Sequence, residues 1–168
     1  MKKLLLAVLG LCISSCVFAE IFRPKVNYIK RIYEESIRLE SGGTTYNPHF
    51  YLKYFDSNLR KIYERDDEYQ KATGGIACID YDVLWQGQDL DPNAKLTFTQ
   101  PTGNKVKVTI GATKGFEKRS VTYQVICLKE TNDCKITEIF ERGKLFTKDK
   151  SKCLDDFYRT EIKKQRHK

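Results

Sequence analysis

The sequence predicts an α+β domain in which two N-terminal helices pack on a curved antiparallel sheet of about four strands, followed by a short C-terminal helix. Three observations predict this fold. Up to residue 75, apolar residues recur every three or four positions, which is the period of a helix. Beyond residue 75 apolar and polar residues alternate, and residues 153–162 return to helical spacing. Because antiparallel strands follow the helices as a block, the order of elements predicts an α+β domain.

The first helix is predicted to begin at Pro24, since proline is well tolerated in the first turn. Val26, Ile29 and Ile37 then recur at helical spacing, with charged residues largely on the opposite side. The Ser41-Gly42-Gly43 segment is predicted to end this helix.

A second helix is predicted to begin at Asn47, an N-cap residue that is followed by Pro48. Its apolar stripe consists of Tyr51, Phe55, Leu59 and Ile62. Residues 65–72 either continue this helix as a charged turn or form a short third helix, and Gly74-Gly75 closes the helical region.

The strand region begins with a predicted hairpin. Residues 96–100 and 106–110 alternate in polarity on either side of Pro101-Thr102-Gly103-Asn104, which has the composition of a turn. Residues 111–118 are predicted to be a loop. Two more strands are predicted at residues 119–128 and 134–140, and a short helix at residues 153–162.

Residues 1–19 have the pattern of a secretory signal peptide, with a basic start, a short apolar region and Val17-Phe18-Ala19 before Glu20. We therefore expect a single exported domain over residues 20–168, located in the bacterial periplasm. The alternative is an envelope lipoprotein, because Ile13-Ser14-Ser15-Cys16 approximates a lipobox with Cys16 as the acylated residue. A membrane is expected as a partner only if Cys16 is lipidated.

The charge of the chain is +8, and it falls to +6 once Lys2 and Lys3 are removed with the signal peptide. Much of this charge lies in a basic tail that starts at about residue 163. No aromatic residues interleave with the basic tail to stack on bases, so no nucleic-acid partner is expected.

Four cysteines lie beyond the signal peptide: Cys78, Cys127, Cys134 and Cys153. They allow three disulfide pairings, and the sequence alone does not select one. If Leu128 faces Asp133 across the turn between two strands, Cys127 directly faces Cys134, close enough to form a bridge. Cys78 would then pair with Cys153. In an exported chain such thiols oxidise, and there is no Cys-x-x-Cys motif, so we expect neither a zinc site nor any other cofactor.

The densest group of carboxylates consists of Asp80, Asp82, Asp89 and Asp91. Calcium binding and acid–base chemistry on a sugar are the functional interpretations. Leu84 and Trp85 occupy positions where an EF-hand loop needs oxygen ligands and a glycine, so that motif is excluded. The favoured interpretation is that these carboxylates cap turns around a buried Trp85.

The segment from Asp80 to Asp89, together with the later strand from Ile136 to Ile139, resembles a family of small exported bacterial proteins of unknown function. Some members are envelope lipoproteins of the YbjP-like kind. The resemblance covers about residues 24–145. It implies a cone-shaped, NTF2-like fold, usually without catalytic residues.

The leading functional hypothesis is a non-catalytic envelope protein that binds another protein or a cell-wall component, with an inhibitor or immunity protein as a special case. We expect no enzymatic activity. Residues that could line a pocket or contact a partner surround the aspartate segment: Tyr81, Asp82, Trp85, Gln88 and Asp89. Residues of the 111–119 loop that could insert into an acidic cleft are Lys114, Phe116, Lys118 and Arg119. The alternative is a small-molecule carrier or enzyme that uses the hollow of an NTF2-like cone.

Overall fold

The structure, a computed structural model, describes residues 24–42, 49–88, 90–128 and 133–166. The predicted signal peptide, Cys16, Asp89 and the last two residues of the basic tail lie outside the described residues. The described elements are α1 (Pro24–Ser41), a 3₁₀ helix (Phe50–Tyr54), α2 (Ser57–Thr73), β1 (Leu96–Thr102), β2 (Lys105–Ile110), β3 (Arg119–Cys127), β4 (Cys134–Glu141), β5 (Lys144–Leu145) and α3 (Phe146–Arg166).

Helix α1 begins and ends as the sequence predicts, at Pro24 and Ser41. Its buried face is formed by the residues at helical spacing, of which Ile29 and Ile32 are fully inaccessible. Complete burial of such a side chain stabilises the fold by about 1.5–3 kcal/mol. This face packs against β1, β2 and β3, so α1 covers one side of the sheet.

The second predicted helix is interrupted. A 3₁₀ helix ends at Tyr54, Phe55 is extended, and Asp56 rather than Asn47 is the N-cap of α2, with its side chain accepting a hydrogen bond from the Leu59 N–H at 2.9 Å. The interruption arises because the Asp56 N–H donates to the Ile136 carbonyl at 2.9 Å, which draws this stretch to the edge of β4. Asn47 lies outside the described residues. Helix α2 then runs unbroken through residues 65–72 and ends at Gly74, which has φ +69°.

The sheet is antiparallel, with the strands in sequential order from β1 to β5. The predicted hairpin is confirmed: Thr102 pairs with Lys105, so the turn is reduced to Gly103 and Asn104. Pro101 belongs to β1, an edge strand, where a residue without an N–H is tolerated. The sheet has five strands instead of about four, because the chain turns back after Glu141 and adds the two-residue strand β5.

One face of the sheet is buried under the helices and the other is polar. On β2, Val106, Val108 and Ile110 are fully buried, whereas Lys107 between them is exposed. The register places Lys107 beside Thr122 of β3, and Thr122 beside Phe140 of β4. The outer face is therefore a surface of lysine, hydroxyl and amide side chains, interrupted by Phe140.

The C-terminal helix is present, but it begins at Phe146 instead of Cys153 and extends to Arg166. The first turn was missed because it is polar except for Phe146, which is 1 % exposed and stacks on Tyr63 with ring centroids 5.9 Å apart. Helix α3 packs on α2 and β4, and so it completes the helical layer.

Both predicted disulfide pairings are present. Cys127 and Cys134 face each other at the end of β3 and β4, with Leu128 N–H donating to the Asp133 carbonyl at 3.0 Å as the predicted register requires. Cys78 is bonded to Cys153 and ties α3 to the segment after α2. Disulfides of this kind indicate an oxidising compartment and hence export. In the parts of the chain that the structure describes, no helix is both long and apolar enough to cross a membrane.

Candidate functional site

The segment that follows α2, residues 78–88, is held at its start by a buried carboxylate. Asp66 of α2 is 2 % exposed, and its Oδ1 accepts hydrogen bonds from the N–H groups of Cys78 and Ile79 at 2.8 and 3.2 Å. Its Oδ2 accepts a third hydrogen bond from Gln70 at 2.7 Å. Asp66 therefore fixes the path of the chain beside the Cys78–Cys153 disulfide.

Replacing Asp66 by alanine is expected to lower the free energy of unfolding by about 2–3 kcal/mol, because two buried backbone donors lose their acceptor. Asp66→Asn retains one acceptor oxygen and should cost about half as much. Urea denaturation of both variants measures the two losses in the free energy of unfolding. Equal losses for the two variants would show that the hydrogen bonds to Oδ1 are not the main contribution.

Asp82 shapes the next turn. Its Oδ1 accepts hydrogen bonds from the N–H groups of Leu84 and Trp85 at 2.7 and 3.1 Å, and its backbone pairs with Gly87 across the turn. Trp85 is completely buried, and its indole N–H donates to Ser36 of α1 at 2.9 Å. The interpretation of Asp82 as a turn-capping residue around a buried tryptophan is confirmed.

Beneath this turn two tyrosines form a hydrogen-bonded pair. The Tyr33 hydroxyl donates to the Leu84 carbonyl at 2.6 Å, and it lies 2.8 Å from the hydroxyl of Tyr123 in β3. Since Tyr33 uses its one proton on Leu84, Tyr123 is the donor within the pair. Burial raises the pKa of both phenols well above the usual value, because ionisation would place a charge in the core.

The predicted pocket residues divide between surface and core. Tyr81, Asp82 and Gln88 line a cleft of about 420 Å³ on the surface. Trp85 does not line it, since its side chain is fully buried below the turn. Asp89 lies outside the described residues. The remaining lining residues are mostly polar: Glu40, His49, Tyr51, Gln70, Ile79, Asp80 and Leu90.

Tyr81 is also bonded to the end of β4. Its hydroxyl donates to Glu141 at 2.5 Å, and the same carboxylate accepts from the Gln86 amide at 2.7 Å. Burial, followed by the hydrogen bond to Glu141, raises the pKa of the Tyr81 phenol. Tyr81 therefore connects the cleft to the end of β4 through a side-chain hydrogen bond.

The predicted inserting loop contains a small hairpin. Thr113 and Phe116 exchange two backbone hydrogen bonds of 3.0 and 3.1 Å, which leaves Lys114 and Gly115 at the tip. Both tip residues are exposed, and Gly115 has φ +93°, which glycine adopts at no steric cost. The Thr113 hydroxyl also donates to the carboxylate of Asp91, which is 6 % exposed. The hairpin is therefore anchored at its base.

Arg119 follows the hairpin at the start of β3. Its Nε donates to the Trp85 carbonyl at 2.6 Å, and its guanidinium lies over the Phe116 ring, 5.0 Å from the centroid. One terminal nitrogen, Nη2, is buried and donates no hydrogen bond to any residue that the structure describes. Arg119 is thus held on two sides and has unused donor capacity.

Lys118 and Arg119 border a groove of about 580 Å³ on the outer face of the sheet. Two more cations, Lys107 and Arg142, line the same groove. Within the described residues none of these four cations forms a salt bridge. The other lining residues are Gln86, Glu117, Ser120, Thr122, Phe140 and Gly143. The groove is therefore the place where positive charge is concentrated beside the hairpin.

Sequence reasoning did not find Lys107, Arg142 or Asp66. Lys107 and Arg142 meet only through the register of three strands, which the sequence alone does not provide. Asp66 had a local signal, because a carboxylate occupies a position of the stripe formed by Leu59 and Ile62, where an apolar residue is expected.

Among the residues that the structure describes, no group of three or more histidine, cysteine or acidic side chains is arranged to hold a metal ion. Comparison of the chain with models of protein families, with curated proteins and with solved structures finds no match.

Proposed function

We propose that this protein is a non-catalytic periplasmic or envelope protein that binds another protein, with the hairpin of Thr113–Phe116 and its flanking cations as the contact surface. The supporting observation is the anchoring of this hairpin by Asp91 and Arg119 while Lys114 remains exposed at its tip. A rigid loop loses little conformational entropy on binding, which favours affinity. An inhibitor or immunity protein that inserts the hairpin into an acidic cleft is the special case.

The alternative proposal, a carrier or enzyme with an NTF2-like hollow, has less support. Such a site needs a deep apolar cavity between the helices and the sheet. Tyr33, Trp85 and Tyr123 fill this space and are at most 1 % exposed. The YbjP-like relationship and the cone-shaped form of the sheet remain proposals.

A photo-crosslinking residue placed at Lys114 tests the binding proposal. We expect crosslinking to one envelope protein from this position, and none when the same residue replaces Lys61 on the exposed side of α2. Extracts of the native envelope supply the partner, and mass spectrometry identifies it.

A charge reversal in the tagged protein without the crosslinking residue provides the control, with affinity capture of the same partner as the readout. Lys114→Glu should abolish capture of the same protein, whereas Lys71→Glu, an exposed cation on α2, should leave it unchanged. Capture that survives Lys114→Glu, or no crosslinked product above background, contradicts the proposal.

A further inference from the structure

We propose that the groove lined by Lys107, Lys118, Arg119 and Arg142 binds the carboxylate side chains of an acidic segment of the partner protein. This inference rests on the proposed binding function and names the chemistry of the partner. The groove adjoins the hairpin, because Lys118 and Arg119, which line the groove, follow Phe116 of the hairpin by only two and three residues. One bound segment of the partner can therefore contact the groove and the hairpin together.

The charges of the groove favour an anionic occupant. Four cations face one acidic residue, Glu117, and none of the four is neutralised by a salt bridge within the described residues. Arg119, which lines the groove, adds donor capacity: its Nε donates to Trp85, and its Nη2 has no acceptor among the described residues. The guanidinium is already oriented by Trp85 and Phe116, so little freedom is lost when it binds.

The walls of the groove favour carboxylates on a protein over phosphates. Phosphate sites commonly use helix N-termini or turns of free N–H groups. Here the central wall consists of β2 and β3, whose backbones pair with each other and with their neighbouring strands. Phe140 contributes an aromatic ring beneath Lys105, at 4.2 Å. Aromatic rings and arginine together are typical of protein interfaces.

Binding of a fluorescent polyglutamate peptide to the full exported chain with both disulfides tests this proposal. We expect Lys107→Glu combined with Arg142→Glu to weaken binding by about tenfold or more, since two attractions become repulsions. The matched control, Lys61→Glu with Lys71→Glu, makes the same change in net charge on α2 and should alter binding by about twofold or less. Equal weakening in both variants contradicts the proposal, because it would show attraction to net charge alone.

A variant without added negative charge distinguishes loss of binding from misfolding. Lys107→Gln with Arg142→Asn should fold normally, because Arg142 has φ +50° and asparagine tolerates that conformation. It should still weaken peptide binding several-fold. In NMR titrations, the amide signals of Lys107, Thr122 and Arg142 should shift with the peptide; shifts confined to other surfaces would overturn the proposal.

Two further probes test whether the groove prefers phosphate groups to carboxylates. We expect inorganic polyphosphate and vesicles containing phosphatidylglycerol to bind no more tightly than the peptide at equal charge. Tighter binding of either probe that depends on Lys107 and Arg142 would assign the groove to phosphates instead. A partner captured through Lys114 without any binding of the peptide would contradict this inference and leave the binding function standing. The reverse result, groove-dependent binding of the peptide without a captured partner, would count against the binding function alone.

Discussion

Replacing Cys78 and Cys153 together by serine is expected to lower the free energy of unfolding by roughly 4–5 kcal/mol. The disulfide closes a ring with a sequence separation of 75 residues, so the oxidised unfolded chain has far fewer conformations than the open chain. The bridge also fastens α3 to the segment that Asp66 holds. Urea denaturation of the oxidised protein and of the variant gives the difference.

The matched control is Cys127→Ser with Cys134→Ser, which opens a much smaller ring, since these two cysteines are only 7 residues apart in the sequence. Its expected cost is roughly 2–3 kcal/mol. Cys78 and Cys134 are both buried, so each variant places one serine hydroxyl in a buried site, and that contribution largely cancels in the comparison. A short ring that contributes as much as the long one would contradict this account.

The disulfide pairing was predicted conditionally, because one part of it is local. Cys127 and Cys134 are 7 residues apart in the sequence, so a register that opposes Leu128 and Asp133 also opposes the two cysteines, and the second pair then follows by elimination. The hairpin around Gly103 was accessible for the same reason. Both depend on contacts between residues that are close in sequence.

The interruption of the second predicted helix at Phe55 and Asp56 could not be predicted from the sequence. The apolar stripe from Tyr51 to Ile62 has helical spacing throughout, and only the hydrogen bond from Asp56 to Ile136 breaks it. That partner lies on β4, eighty residues further along the chain. A periodic pattern reports the local preference of the chain, which a tertiary contact then overrides.

The candidate site was predicted in part. The sequence identified Tyr81, Asp82 and Gln88 as a group, and the structure places them along one cleft. Trp85 was included because it stands between them in sequence, but successive residues of a turn point in different directions, and its side chain enters the core. The groove around Lys107 needed three strands in register, so only its hairpin side was predicted.

Raising the pH above about 10 is expected to destabilise the protein steeply, because Tyr33, Tyr63 and Tyr123 are buried as neutral phenols. Burial raises the pKa of all three in the folded state, whereas in the unfolded chain they ionise near pH 10. Their stabilisation is therefore fully present below about pH 10 and is lost as the pH rises further. Each group should contribute a slope of about 1.4 kcal/mol per pH unit, or roughly 4 kcal/mol per unit for the three.

Substitution by phenylalanine separates this effect from the general charge of the chain. The double variant Tyr33→Phe, Tyr123→Phe should be about 1–3 kcal/mol less stable near neutral pH, because the Leu84 carbonyl loses its donor. Its alkaline slope should fall by about 3 kcal/mol per pH unit, the share of the two phenols removed, while Tyr63 and the other tyrosines with a raised pKa, Tyr28, Tyr54 and Tyr81, keep contributing. The difference in stability from the parent should thus narrow and then reverse above about pH 11 in urea titrations.

Surface charge would produce a different result. Repulsion or attraction between exposed groups is largely screened at about 1 M salt, whereas buried phenols are screened much less. The slope of the parent should therefore persist at high salt, and the slope of the double variant should remain smaller than that of the parent by the same amount. A slope that disappears with salt, or that is equal in the two proteins, would show that the hydroxyl pair beneath Trp85 does not control the alkaline transition.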